Sequence, residues 1–453
     1  MAERFLADMN SAGSSRHFIE SSFTQVSLNR EPAAERARQF DRLKSLSGGF
    51  KALDWRPQGE RMIEVLAASN RGNRYAKFVL FTSSKEPGKI ADIFVLPERD
   101  PARAAADQFP TTAVTDKDIV RLVRRRLDAL AAEGSFSGAI LIARRDDVLV
   151  REARGFANES WQIANRADTK FHIASIPKMW TAVVVMKLVE EGKLSLDDLL
   201  SKWVTSYPHP QAAAKITLRQ LLQHRAGLGG WDVRQLRTPL TSSETVATMT
   251  AEPSEPDQGF AYSNAGYVLL GDAVEKASGL TYEQLVEKFV FRPAGMNGSG
   301  FWPVTAIINN RATGYFRPAD DPLGFGPKFS NEQNLGYAGN ASGGAYSTVD
   351  DLFAFHRALA SGRLLKPETV KMMVDNSVEF SGAPRPMRYG LGLRLENCAG
   401  VPTLGHSGGG ANSGVSSATY ATLDGSWTIV VLGNTDPMPE QVAIDVCELV
   451  HRH

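Results

Sequence analysis

Strand-like runs at both ends of residues 116–453 constrain the fold of this chain more than any other feature of its sequence. Near the start of that stretch, residues 138–143 and 148–152 are β-rich and close together. Near its end, two further β-rich runs flank Asp424-Gly425, a dipeptide typical of hairpin turns. We therefore predict an α/β (α+β) domain whose sheet is assembled from both ends, with the helices of residues 175–290 packed against it.

The first 113 residues have the pattern of a smaller α+β domain, in which helices precede a strand meander. The helical and strand-like segments are, in order, residues 15–24, 32–46, 62–68, 75–82 and 90–96. That order resembles an NTF2-like cone. A polar stretch at residues 97–115 is typical of a linker, so the predicted domains are 1–113 and 116–453. The first contains no catalytic constellation, and its role stays open.

The composition of the chain limits the kinds of binding partner and cofactor that we expect. Its 453 residues carry 51 basic and 50 acidic side chains, a formal charge of +1, so no overall field favours nucleic acid or an acidic membrane. Cys398 and Cys447 have no metal-ligand spacing, and we expect two buried thiols rather than a disulfide framework or a zinc site. The histidines form no zinc-binding pattern, so neither a metal nor a cofactor is predicted.

The sequence also lacks the signature of membrane insertion. No stretch approaches the roughly 18 consecutive apolar residues of a membrane helix, and residues 1–10 lack the pattern of a signal peptide. We expect a soluble protein without a membrane span. It would be periplasmic or secreted if an export signal has been removed, and cytoplasmic otherwise. A homodimer is compatible with this sequence.

Ser175-Ile176-Pro177-Lys178 is the first segment that points to catalysis. It opens an apolar-periodic helix at residues 179–190, so the Lys178 amine can reach the Ser175 hydroxyl on one helix face. A serine at a helix N-terminus also lies at the positive end of the macrodipole, which favours the alkoxide formed during attack. The same spacing arises by chance from a capping serine and a solvated lysine. To act as a base near neutrality, Lys178 needs a pKa well below the free value of about 10.4.

Two further segments carry suitable chemistry. Tyr262-Ser263-Asn264 precedes a helical pattern at residues 265–277, and there a phenol can relay a proton while an amide orients a substrate carbonyl. His406-Ser407-Gly408, followed by Gly409, offers glycine backbone that can present an N–H to an oxyanion. Residues 405–409 also fit a Gly-x-Ser-x-Gly nucleophile elbow, but the sequence after them does not favour the helix that an elbow requires.

Together and in this order, the three segments resemble the motifs of the serine β-lactamase and penicillin-binding-protein family, notably class C β-lactamases, D-Ala-D-Ala carboxypeptidases and related esterases. Those motifs are Ser-x-x-Lys, Tyr-x-Asn and a Lys- or His-containing triplet that ends in Gly. Flanking segments look like the family too, at residues 221–228, 260–270, 292–296 and 343–348. The resemblance covers about residues 116–453. It implies a β-lactamase/transpeptidase-like domain with a central antiparallel sheet and a helical subdomain.

The resemblance implies a role for each motif residue. Ser175 would attack the substrate, Lys178 would take its proton, and Tyr262 would shuttle protons. The positions implied to contact the substrate are Asn264, His406, Gly408 and Gly409. The backbone N–H groups of Ser175 and Gly409 would form the oxyanion hole.

One position, His406, departs from the β-lactamase pattern, which has a lysine there to help hold the substrate carboxylate. A histidine is largely neutral at pH 7, so β-lactam turnover is disfavoured. We predict a serine hydrolase that forms an acyl-enzyme with a small-molecule or peptide ester or amide, as an esterase or a peptidase-like amidase. The alternatives are a β-lactamase or D-Ala-D-Ala carboxypeptidase, and a ligand-binding protein of the same fold without turnover.

Overall fold

The computed structural model describes residues 1–229, 231–232, 236–318, 320–380, 385–410 and 413–452. The chain forms two compact units. The N-terminal unit consists of Met1–Gln108 and Phe316–Phe329, and the second unit of Phe109–Tyr315 and Ser330–His453. Among the described residues, no helix combines the length and the apolar character needed to cross a membrane.

The N-terminal unit packs helices against one face of a four-stranded antiparallel sheet. Its helices are α1 (Ala2–Met9), α2 (Arg16–Ser22), α3 (Gln25–Arg30), α4 (Ala33–Ser47) and α5 (Pro101–Ala106). Its strands, which pair in sequence order, are β1 (Phe50–Gln58), β2 (Met62–Ser69), β3 (Tyr75–Thr82) and β4 (Ile90–Glu98). The sequence predicted α2, α4 and β2 to β4, but not α1, α3, β1 or α5, and α5 lies in the predicted linker. The NTF2-like resemblance stays a prediction.

The segment Phe316–Phe329 comes from late in the chain but belongs to the N-terminal unit. Leu323 is buried in the core of that unit, and Phe325 packs against the same core. The Arg74 guanidinium donates a hydrogen bond to the Gly324 carbonyl at 3.2 Å. The sequence gives no sign of this placement, because two apolar residues in a loop have no periodicity to detect.

The second unit is built on an antiparallel sheet that joins both ends of its segment, as the sequence predicted. The remaining strands of the chain are β5 (Gly138–Arg144), β6 (Asp147–Arg154), β7 (Phe156–Asn158), β8 (Ile163–Ala164), β9 (Phe171–His172), β10 (Tyr315–Phe316), β11 (Phe329–Ser330), β12 (Tyr346–Ser347), β13 (Val378–Glu379), β14 (Arg388–Tyr389), β15 (Arg394–Cys398), β16 (Val401–Gly409), β17 (Ser416–Thr422) and β18 (Trp427–Gly433). Eight of them form the main sheet in the order β13-β14-β15-β16-β17-β18-β5-β6. The early hairpin thus adjoins the last one, with Leu141 opposite Val430.

Helices cover both faces of this sheet. The α-helices of this unit are α6 (Asp116–Ala132), α7 (Lys178–Glu190), α8 (Pro210–Ala213), α9 (Leu218–Leu222), α10 (Ser242–Ala247), α11 (Asn264–Ser278), α12 (Tyr282–Val286), α13 (Arg292–Ala294), α14 (Val349–Ala360), α15 (Pro367–Asp375) and α16 (Met438–Val450). Alternation along β5 separates two cores: Ile140 and Ile142 pack with α6 and α16, whereas Leu141 packs with α7, α11 and α14. Because α7 is buried nearly all round, it carries apolar residues on every face.

A disulfide joins Cys398, at the end of β15, to Cys447 in α16, with their Cα atoms 5.7 Å apart. The expectation of two buried thiols is therefore wrong. The residues are 49 apart in sequence, and their spacing alone does not reveal that the strand and the helix are neighbours.

Candidate active site

Ser175 lies in the turn between β9 and α7, and neighbouring backbone holds this turn on both sides. Ala174 has a φ of 42°, a conformation that costs a non-glycine residue energy. The Gly344 N–H donates a hydrogen bond to the Ala174 carbonyl at 2.8 Å. A Cβ at Gly343 would lie 2.2 Å from the same oxygen, so this close approach requires glycine. The turn that carries the serine is thus held in a strained shape.

Lys178 is fully buried beneath Ser175. Its Nζ lies 3.2 Å from Ser175 Oγ, 2.7 Å from Asn264 Oδ1 and 2.6 Å from the Ser342 carbonyl oxygen. Burial holds the pKa of Lys178 well below its ordinary value of 10.5. A neutral amine has two hydrogens and one lone pair. Because the two carbonyl-type oxygens can only accept, the lone pair is left for the Ser175 hydroxyl proton.

Tyr262 covers this pair from the solvent side and remains 40% exposed. Its ring centroid lies 4.9 Å from Lys178 Nζ, and its side chain hydrogen-bonds with Ser175. Desolvation raises the pKa of Tyr262 to about 12, against the opposing effect of that hydrogen bond. The phenol therefore keeps its proton at neutral pH and can donate it, whereas Lys178 is the group able to accept one.

The start of α11 brings Asn264 to the lysine. Ser263 is the N-cap of this helix, and its hydroxyl accepts a hydrogen bond from the Gly266 N–H at 3.3 Å. Asn264 is the first residue of the helix, and its Oδ1 accepts from Lys178. The cap thus fixes the turn from which Tyr262 and Asn264 both reach the Lys178 amine.

The third segment is the end of a regular strand, because β16 continues through His406-Ser407-Gly408 to Gly409. It runs directly against the nucleophile turn. A Cβ at Gly408 would lie 2.2 Å from the Ile173 carbonyl oxygen and 2.9 Å from the Ser175 nitrogen. Only glycine permits this approach, which places strand backbone next to the Ser175 N–H. No helix follows the strand directly in the described residues, so residues 405–409 are not a nucleophile elbow.

With this geometry established, the comparison with known families is decisive. Residues 123–446 match the sequence model of the Beta-lactamase family. The chain belongs to that family. The match confirms the predicted family and, with the solved structures below, the predicted central antiparallel sheet flanked by helices.

The relatives of this beta-lactamase-family chain include penicillin-binding protein 4* of Bacillus subtilis (strain 168), 27% identical over 331 residues, or 68% of this chain and 70% of that protein. The chain spans 51–65% of the length of other curated relatives that it matches. Among solved structures, it is similar to a penicillin binding protein from Bacillus halodurans, with a TM-score of 0.60 and 28% identity over 72% of this chain and 98% of that one. It is also similar to a D-stereospecific amidohydrolase from Streptomyces sp., with a TM-score of 0.59 and 27% identity over 71% and 96% of the two chains.

His406 lies in the site of this beta-lactamase-family chain as a buried, neutral side chain. Its Nε2 lies 2.9 Å from the Tyr389 hydroxyl, and its Nδ1 lies 2.5 Å from the Ser407 carbonyl oxygen. Because a carbonyl only accepts, Nδ1 carries the proton and Nε2 accepts from Tyr389. Burial lowers the pKa of His406 well below 6.5, and the positive charge of Arg394 acts in the same direction. Both ring nitrogens of His406 thus make hydrogen bonds within the protein, and the ring offers no positive charge to a substrate.

Two contributors to the site were not predicted from the sequence. The Ser342 carbonyl accepts from Lys178, and Asn340 Oδ1 holds this turn by accepting from the Ser342 N–H at 2.9 Å. The adjoining Gly343-Gly344 pair was a usable signal, because paired glycines often mark close backbone contacts. Tyr389 lies on the two-residue strand β14, which is too short to show any pattern.

Among the described residues, one group of three has metal-binding atoms close enough to share an ion, within 4.8 Å of one another: Cys398, Cys447 and His451. The two sulfur atoms are joined in the disulfide and offer no thiolate. This group therefore does not fit a metal in the oxidised protein.

Proposed function

We propose that this chain is a serine hydrolase that forms a covalent acyl-enzyme on Ser175 with an ester or amide substrate. The observation that carries the proposal is the environment of Lys178. Its buried amine has a lowered pKa, two acceptors for its hydrogens and the serine hydroxyl at 3.2 Å. That arrangement suits a neutral general base for an alcohol nucleophile.

The proposed reaction has two halves. Ser175 Oγ attacks the carbonyl carbon as its proton passes to Lys178, and backbone N–H groups of Ser175 and Gly409 stabilise the oxyanion. As the bond to the leaving group breaks, Tyr262 donates its proton to that group and is reprotonated from Lys178. Water then attacks the acyl-enzyme with the same residues in reverse roles, and the acid is released. Asn264 holds Lys178 and orients the substrate.

The neutral state of His406 favours substrates that need no cation at this position. A substrate carboxylate beside it would lose solvation without gaining a charge partner. We therefore favour a neutral ester or amide of a small molecule or peptide over a β-lactam. The similarity to a D-stereospecific amidohydrolase supports an amide branch.

Two alternatives remain distinguishable by experiment. The similarity to penicillin-binding proteins supports a β-lactamase or D-Ala-D-Ala carboxypeptidase. The second alternative is a ligand-binding protein of the same fold that is acylated on Ser175 but does not turn over.

Hydrolysis of a short-chain p-nitrophenyl ester and a chromogenic cephalosporin by wild type and Ser175→Ala tests the proposal, with intact-mass detection of adducts. Ser361→Ala, at the end of α14, is the matched control. We expect ester turnover that only Ser175→Ala abolishes. Full activity in Ser175→Ala would exclude the nucleophile. Adducts on Ser175 without turnover would favour the binding protein, and faster cephalosporin turnover would favour the β-lactamase.

We also propose an oxidising compartment, periplasmic or extracellular, because disulfides persist there and are rare in the cytosol. Thiol labelling of freshly extracted, denatured protein tests this: labelled cysteines would contradict it. The homodimer stays a prediction, to be checked by light scattering of the full chain.

A further inference from the structure

His224 is a buried histidine next to the site, and the proposed reaction does not use it. It follows α9, is 1% exposed and has a φ of 55°. Histidine and asparagine are among the few residues that adopt this left-handed conformation with some frequency. The His224 carbonyl accepts a hydrogen bond from the Ala261 N–H at 2.8 Å. The strained residue is thereby tied to the backbone that leads into Tyr262.

The imidazole of His224 contacts both the Tyr262 ring and the backbone of the residue that follows it. Its Nδ1 accepts a hydrogen bond from the Ser263 N–H at 3.0 Å, so Nε2 carries the proton. Its ring lies 4.3 Å from the Tyr262 ring, between centroids, at an angle of 32°. Burial lowers the pKa of His224 well below 6.5. A neutral ring of fixed tautomer therefore supports the phenol.

We propose that His224 is a positioning residue for Tyr262, an inference that rests on the proposed function. Its contacts bracket Tyr262: one to the residue before it, one to its ring and one to the residue after it. Lys178 and Ser175, by contrast, are held together within one helical turn and by the Ser342 carbonyl. Loss of His224 should thus impair proton delivery by Tyr262 more than activation of Ser175.

Proton delivery by Tyr262 and activation of Ser175 can be distinguished by varying the leaving group of the substrate. A p-nitrophenolate leaves as a stable anion and needs little protonation, whereas an alkoxide must receive a proton as it departs. Hydrolysis of p-nitrophenyl butyrate and ethyl butyrate, which deliver the same acyl group, reports on the difference. The ratio of kcat/KM for the two esters isolates proton delivery from folding, since a loss of folded enzyme lowers both equally.

The key variant is His224→Asn, because asparagine tolerates the left-handed backbone and its Oδ1 can still accept from the Ser263 N–H, while the ring is lost. We expect kcat/KM for ethyl butyrate to fall on the order of 10- to 100-fold, as for a small displacement of a catalytic group. The p-nitrophenyl ester should lose much less. In Tyr262→Phe the additional change His224→Asn should have little further effect on the ratio, because the positioned hydroxyl is already absent.

His356→Asn is the matched control, since His356 is equally buried in the same unit but contacts Thr419. It should lower stability without changing the ratio between the esters. An unchanged ratio in His224→Asn, or additive effects in the double variant, would overturn the positioning role even if Ser175→Ala is inactive. Full activity of Ser175→Ala would instead refute the proposed function itself.

A second measurement covers the case in which His224→Asn does not fold. In wild-type protein with 15N-labelled histidine, formation of the acyl-enzyme should shift the His224 imidazole signals, because Tyr262 changes its hydrogen bond with Ser175. Signals that stay unchanged on acylation would contradict the inference.

Discussion

At the scale of single residues, the site depends on burial of the Lys178 amine, which costs free energy if the amine is charged. An amine removed from water favours its neutral form, so the desolvation that destabilises Lys178 as a cation prepares it as a base. Three oxygens then orient the neutral amine. Two of them can only accept hydrogen bonds, so the lone pair is directed to the third, the Ser175 hydroxyl, which carries a proton. The Ser-x-x-Lys spacing predicted the pair, but not the Ser342 carbonyl, since every residue has a backbone carbonyl and only the neighbouring glycines indicate a close contact here.

Replacing Lys178 by Met, which has similar length and no charge, is expected to leave a folded protein that lacks the base. Asn264 Oδ1 and the Ser342 carbonyl would each lose a donor, at a cost of about 1–3 kcal/mol each. We expect kcat for an ester to fall by about 10²- to 10⁴-fold. Steady-state kinetics together with thermal unfolding check this. A folded variant with wild-type kcat would show that Lys178 is not the base.

The same pair of proteins gives a test of the lowered pKa. Between that pKa and the ordinary value of 10.5, the unfolded chain binds a proton on Lys178 that the folded chain does not. Raising the pH therefore stabilises the wild type relative to Lys178→Met. The difference in free energy of unfolding, wild type minus variant, should rise with pH and level off above about 10.5. Urea unfolding at several pH values measures it, and a flat or falling difference would mean that Lys178 is buried as a cation.

At the scale of elements, the site exists because β16 can lie directly against the turn that precedes α7. Gly408 removes the side chain that would separate these two segments. Gly343 does the same between the turn and the loop of residues 342–344. The sequence predicted the helix and both hairpins, because their periodicity extends over many residues. It did not predict β16 as a strand, since the glycine and polar residues at positions 405–409 obscure the apolar period.

Gly408→Ala is expected to push β16 away from the nucleophile turn, because its Cβ would meet the Ile173 carbonyl and the Ser175 nitrogen. We expect a loss in kcat on the order of 10²-fold, similar to the loss of one oxyanion-hole donor. Gly410→Ala, where a Cβ meets nothing within 4 Å, is the control for adding a methyl group nearby. Equal activity of the two variants would show that the close approach is not needed.

At the scale of the whole molecule, a disulfide and a buried side chain each connect segments that are distant in sequence. The disulfide between Cys398 and Cys447 joins α16 to the C-terminal end of β15. Removing it by the double change to Ala is expected to lower the free energy of unfolding by about 2–4 kcal/mol. Urea unfolding with and without reductant measures this. The wild type should respond to reductant and the double variant should not, and a wild type without response would contradict the link.

The second long-range link is the burial of Leu323 in the core of the N-terminal unit. Leu323→Ala in the full chain should destabilise that unit by about 2–5 kcal/mol, through lost burial and the cavity left behind. Hydrogen exchange of amides in β3 reports on this unit alone. Ile307→Ala, at a fully exposed position, is the control. Equal exchange in both variants would show that Leu323 does not stabilise the core.

The late origin of Phe316–Phe329 has a consequence for synthesis of the chain. Residues 1–108 leave the ribosome early, but the segment that contributes Leu323 follows about 200 residues later. At typical translation rates of roughly 5–20 residues per second, this interval lasts on the order of 10–40 s. During that time the nascent unit exposes the apolar surface that Leu323 and Phe325 later cover. Most of the N-terminal unit is thus synthesised before the second unit, but it cannot complete its core until most of the second unit has emerged. Chaperones can bind the exposed apolar surface during that interval.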